Sequence, residues 1–128
     1  MTPEAERFLE KARQCLTNVR ATFDIHLHND SGRNAYFVVF HAAQALIFER
    51  TGKIARTHQG VQVAFYRLAK EEPQIDKSFP TFLSQAYNLK AVADYETGPD
   101  AIIPPERAAA AIAAAERFLA CIVELIEQ

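Results

Sequence analysis

The 128 residues carry 14 Lys and Arg against 16 Asp and Glu, a formal charge of −2, with 49% apolar and 23% charged side chains. That length fits one domain, residues 1–128, since domains of roughly 100–200 residues are usual. The composition excludes a disordered or collagen-like chain, and the charge excludes a protein that coats nucleic acid through bulk electrostatics.

Glycine is scarce, tryptophan is absent and alanine is abundant, which favours helices over a turn-rich barrel. Cys15 and Cys121 are too few for a disulfide framework and are expected reduced in a cytoplasm. The acidic start, Met1-Thr2-Pro3-Glu4-Ala5-Glu6, is not the pattern of a secretory signal. The longest nearly apolar stretch, Ala35 to Phe48, has 14 residues and contains His41 and Gln44. A membrane span needs about 20 apolar residues, so no membrane contact is expected.

Thr2-Pro3-Glu4 opens a first helix with a capping hydroxyl, a proline at the first position and an acid at the positive end of the dipole. Phe8, Leu9, Ala12, Leu16, Val19, Phe23 and Leu27 recur at three- and four-residue steps. Asn29-Asp30-Ser31-Gly32 is expected to break that helix and cap the next. The second helix, about Arg33 to Arg50, is apolar nearly all round and belongs at the centre of a bundle. Gly52 is its C-terminal stop. Thr57 caps a third helix carrying Val61, Val63, Ala64, Tyr66 and Leu68. Ser78-Phe79-Pro80 starts a fourth with Phe82, Leu83, Ala86 and Leu89. Ile103-Pro104-Pro105-Glu106 opens the last, with Ile112, Ala115, Phe118, Leu119, Ile122 and Leu125. No segment alternates with a period of two. The expected fold is all-α, a five-helix up-and-down bundle.

Charge is uneven. Arg50, Lys53, Arg56, Arg67 and Lys70 give +5 with no acid between the first and the last, leaving −7 for the rest of the chain. Thr57-His58-Gln59-Gly60 adds helix-start amides, so phosphate is one candidate ligand and a solvated loop the other. Arg33, Phe37 and His41 are four apart and share one side of a helix, with Arg33 and His41 separated by about 12 Å along the axis. His41 reads either as a hydrogen-bonded core histidine or as a groove residue. Lys90 and Asp94 are at i,i+4 in the weaker orientation for a surface pair, which suits a polar groove ending in Tyr95. His26-Leu27-His28 lacks a third ligand, and no metal site or cofactor motif is expected.

Ala35-Tyr36-Phe37-Val38-Val39-Phe40-His41-Ala42-Ala43, then Arg56-Thr57-His58-Gln59-Gly60-Val61, then Ala93-Asp94-Tyr95 resemble the HEPN domain family in order and interval. The alanine-rich helix after Pro105 resembles that family's last helix, and the likeness covers roughly residues 5 to 127. The resemblance implies a nucleotide- or RNA-binding module that forms homodimers. It also implies a minimal nucleotidyltransferase as partner, in a toxin–antitoxin or related regulatory system. Under it, Arg33, Arg56, Lys90, Asp94 and Tyr95 bind the nucleotide or RNA. His41 and His58 are the catalytic candidates if the protein is a metal-independent endoribonuclease.

The ribonuclease motif of that family is an arginine, four to six residues, then a histidine. Here seven residues separate Arg33 from His41, and seven separate Arg50 from His58. Lys90 stands where an arginine often precedes the Ala-Asp-Tyr element; it keeps the charge but lacks the bidentate fork. A purely structural interaction module is the third alternative.

Overall fold

The computed structural model describes all residues from Met1 to Gln128. The Thr2 hydroxyl accepts from the Ala5 amide, and Pro3 fills the first position of α1, Pro3–Asp24. A turn at Ile25 to Leu27, with His26 in the left-handed region at φ 63°, leads into α2, His28–Thr51. Thr57 accepts from the Gly60 amide to cap α3, His58–Glu71. Ser78 precedes α4, Phe79–Tyr95, and a 3-10 turn at Pro99–Ala101 comes before α5, Pro105–Glu127. There are no strands. Cys15 and Cys121 are both free.

The break expected at Asn29-Asp30-Ser31-Gly32 is instead the first turn of α2, because these residues have partners that a sequence does not display. Ser31 is fully buried and its hydroxyl lies 3.0 Å from that of Thr22 and 3.2 Å from the Leu27 carbonyl. Asn29 donates to the Ala101 carbonyl and accepts from the Ile103 amide, tying α2 to the entry of α5. Gly32 lets Ile103 come close: a Cβ there would lie 2.6 Å from Ile103 Cδ1. Chain reversal therefore falls before Asn29, earlier than the glycine suggests.

As its apolar circumference requires, α2 is the central helix, packed against all four others. Thr2 bonds Glu49 and Thr22 bonds Ser31, so α1 runs antiparallel to α2. Contacts of Arg33 with Asp94 and of Tyr36 with Tyr87 set α4 antiparallel to α2. Residues 52–57 run back along α2, with the Gln44 amide donating to the Ala55 carbonyl. His58 consequently starts beside Tyr36 and Glu72 ends beside Arg50, so α3 follows the direction of α2. This connection departs from the alternation expected from sequence. Phe118 of α5 lies 5.1 Å from Phe65 and 5.0 Å from Phe79, ring centre to ring centre, joining α3, α4 and α5 in one core.

Candidate functional site

One surface of α2 is neither buried nor fully exposed: Arg33, Phe37 and His41, four residues apart. The end of α4 lies beside it. Arg33 Nε donates to one oxygen of Asp94, and Lys90 Nζ donates to the other at 2.7 Å. A second guanidinium nitrogen of Arg33 bonds Asp30, and the third reaches the Ala93 carbonyl at 3.4 Å. The Lys90 and Asp94 side chains are only 18% and 20% exposed, so the pair is packed toward α2 and Arg33 rather than free on the surface of α4. The Lys90 and Arg33 hydrogen bonds, in that order, hold the Asp94 carboxyl below the usual carboxylate range. The same bond to Asp94 raises the Arg33 guanidinium still further. Two cations and two carboxylates thus cancel locally.

Aromatic rings extend this cluster. Lys90 Nζ stands 5.8 Å from the centres of both the Phe37 and Tyr95 rings, close enough for cation–π attraction. Tyr95 is 76% exposed, an open π-face next to an ammonium group. Phe37 stacks on His41 with centroids 6.0 Å apart. The His41 Nδ1 meets Gln44 Oε1 at 2.8 Å, and Gln44 in turn holds Ala55 of the return loop. Burial lowers the His41 pKa, with the Gln44 bond opposing and the Lys11 charge adding to the effect.

His58, at the start of α3, lies flat on Tyr87, with centroids 3.8 Å apart and an angle of 11°. Its Nδ1 is 3.0 Å from the Tyr36 hydroxyl. Burial lowers the His58 pKa and raises that of Tyr36. Tyr36 also packs edge-on against Phe37, so the two histidines reach the Arg33–Lys90–Asp94 cluster through adjacent rings.

Arg33, Lys90 and Asp94 are therefore in direct contact with Tyr95 beside Lys90, His41 joins them through Phe37, and His58 through Tyr36 and Phe37. Arg56 is not brought in: it lies exposed on the return loop without an ion pair or side-chain hydrogen bond. Sequence reasoning misses Tyr87, although Tyr87, Lys90 and Asp94 fall at i, i+3 and i+7 on one face of α4. It also misses Asp30 as a partner of Arg33, since the residue sits among turn formers.

A family model for the HEPN domain matches residues 5–126. The chain belongs to the HEPN domain family. A Methanocaldococcus jannaschii protein named "Putative toxin MJ0605" is 29% identical over 94 residues, 73% of this HEPN chain and 69% of the relative. A UPF0332 protein of Archaeoglobus fulgidus is 27% identical over 92 residues, 72% of each. The crystal structure of TT1696 from Thermus thermophilus superposes with a TM-score of 0.82 at 20% identity, covering 96% of this chain and 98% of that one. At that identity the match establishes the helical fold alone.

Proposed function

We propose that this HEPN chain binds a nucleotide or single-stranded RNA in the groove between α2 and the end of α4. It acts in the cytoplasm as a homodimeric module of a toxin–antitoxin system, with a minimal nucleotidyltransferase as its partner. The observation that carries the reading is the cluster of Arg33, Lys90 and Asp94 beside the open ring of Tyr95. Lys90 and Arg33 supply phosphate donors, and Tyr95 supplies the flat surface on which any base stacks. The likeness to a protein named a putative toxin supports the toxin–antitoxin setting.

Binding is supported above catalysis. Neither His41 nor His58 hydrogen-bonds an arginine or lysine, and their Nδ1 atoms are engaged by Gln44 and Tyr36. The decisive experiment titrates the protein with mononucleotides and short unstructured RNA at low and moderate salt. Saturable binding, weakened about tenfold in Lys90→Ala or Tyr95→Ala, is expected, since stacking and phosphate contacts each contribute roughly 1–3 kcal/mol. Absence of binding at both salts overturns the proposal. Cleavage of RNA in EDTA, lost in folded His41→Ala and His58→Ala variants, would move the protein into the ribonuclease class.

A further inference from the structure

The return loop leaves a second feature at the other end of α2. A cleft of about 500 Å³ lies between the last turns of α2, residues 53–55 and the middle of α3. Ile47, Ile54 and Leu68 supply much of its apolar lining, with Lys53 and Arg67 also along it. Two observations indicate that it is formed before any ligand arrives. The Ala55 carbonyl is held by Gln44 at 2.7 Å, and the Lys53 amide is held by the Thr51 hydroxyl at 3.1 Å. Ile54 nevertheless stays 41% exposed.

The charges identify that occupant. Of the five cations between Arg50 and Lys70, Arg50 is taken by Glu72 and Lys70 stands over the Tyr66 ring. Lys53 and Arg67, the two beside the cleft, form no ion pair, and neither does Arg56 on the adjoining loop. A single strand held by base stacking uses aromatic faces, and no aromatic side chain lines this cleft, whereas aliphatic side chains do. An aliphatic floor between unpaired cations matches instead an aliphatic side chain flanked by carboxylates.

We propose that this cleft docks an acidic amphipathic segment of a partner protein, with aliphatic anchors on Ile54 and Leu68 above the buried Ile47 and flanking Asp or Glu on Lys53 and Arg67. The surface is separate from the α2–α4 groove, so its success or failure is independent of nucleotide binding.

The test selects random 16-residue peptides by surface display on the full-length chain, then titrates an enriched synthetic peptide into isotope-labelled protein by NMR. Enrichment of aliphatic residues at helical spacing with neighbouring Asp or Glu is expected. Amide shifts should fall on residues 47–55 and 64–68. Affinity should drop about tenfold in Lys53→Glu/Arg67→Glu and several-fold in Ile54→Ser, and should weaken as salt is raised. Both variants change exposed side chains, and far-ultraviolet circular dichroism verifies their fold. Enriched peptides without acids, equal binding by the charge-reversed variant, or shifts elsewhere on the surface would each overturn the proposal. So would an oligouridylate that moves the same amides more strongly than any acidic peptide, since the cleft would then belong to RNA.

Discussion

The first turns of α2 and its last turn both gather cations, yet the two groups are in opposite electrostatic states. Near the start, Arg33 and Lys90 share Asp94, and Asp30 completes a set whose charges cancel. Near the end, Lys53 and Arg67 border an apolar cleft with no carboxylate engaged. A count of basic residues rates both as anion sites. The pairing separates them: an anion entering the first must displace Asp94, whereas one meeting the second encounters unopposed charge. The first region is consequently neutralised from within and the second is not.

The largest expected effect comes from the glycines that shape the two regions. Gly32→Ala places a methyl 2.6 Å from Ile103 Cδ1, inside a packed junction where Ile103 is 1% exposed. Overpacking of that kind costs about 1–3 kcal/mol. Gly52, which ends α2 before the return loop, has open space around it but sits at φ +71°. Gly52→Ala therefore costs about 1 kcal/mol, from backbone conformation alone. Urea unfolding of the two variants ranks them. A smaller loss for Gly32→Ala than for Gly52→Ala would mean that α2 and the entry of α5 are less tightly joined than the contact distance indicates.

The second test reverses a sign. If Asp94 competes with phosphate for Arg33 and Lys90, Asp94→Asn strengthens phosphate or mononucleotide binding by about threefold to tenfold, equivalent to roughly 1 kcal/mol. Glu72→Gln at the other end of α2 releases only Arg50 and should leave that affinity within about twofold. Calorimetric titration with inorganic phosphate reads both. Weakened binding in Asp94→Asn would make the carboxylate a ligand-facing group and remove the distinction between the regions.

Much of this is legible in the residues themselves. Apolar recurrence, caps at Thr2 and Thr57, and the stop at Gly52 place the helices, because these are local signals with local causes. The start of α2 is not legible: Ser31 and Gly32 are turn formers by propensity, and the groups packed on them, Thr22 and Ile103, belong to other parts of the chain. The site divides in the same way. Lys90 and Asp94 disclose themselves through an unfavourable surface spacing, and Arg33 through sharing a face with His41. Tyr87 against His58 and Tyr36 against His58 depend on the loop running back along α2, which no spacing encodes. Arg56 illustrates the reverse case, a charge close in sequence to His58 that the return loop leaves exposed and outside the network.

The smallest expected effect is in the acid limb of stability. Asp94 is held below its ordinary pKa by Lys90 first and Arg33 second. Its folded value lies beneath the unfolded value of about 3.9, so its contribution is complete above that pH and lost as pH falls through the folded value. The stability difference between wild type and Asp94→Asn should therefore be flat from neutral pH down to about 4 and close below it. Its size is at most about 1 kcal/mol, because the pair is partly solvated and screened by salt. Lys53→Met/Arg67→Met, where no carboxylate is engaged, should show no such closing step. Chemical denaturation of the three proteins across acid pH measures this. A difference for Asp94→Asn that persists unchanged into strong acid would show that Asp94 joins α2 to α4 by shape and not by charge, and the two ends of α2 would then differ in packing rather than in electrostatics.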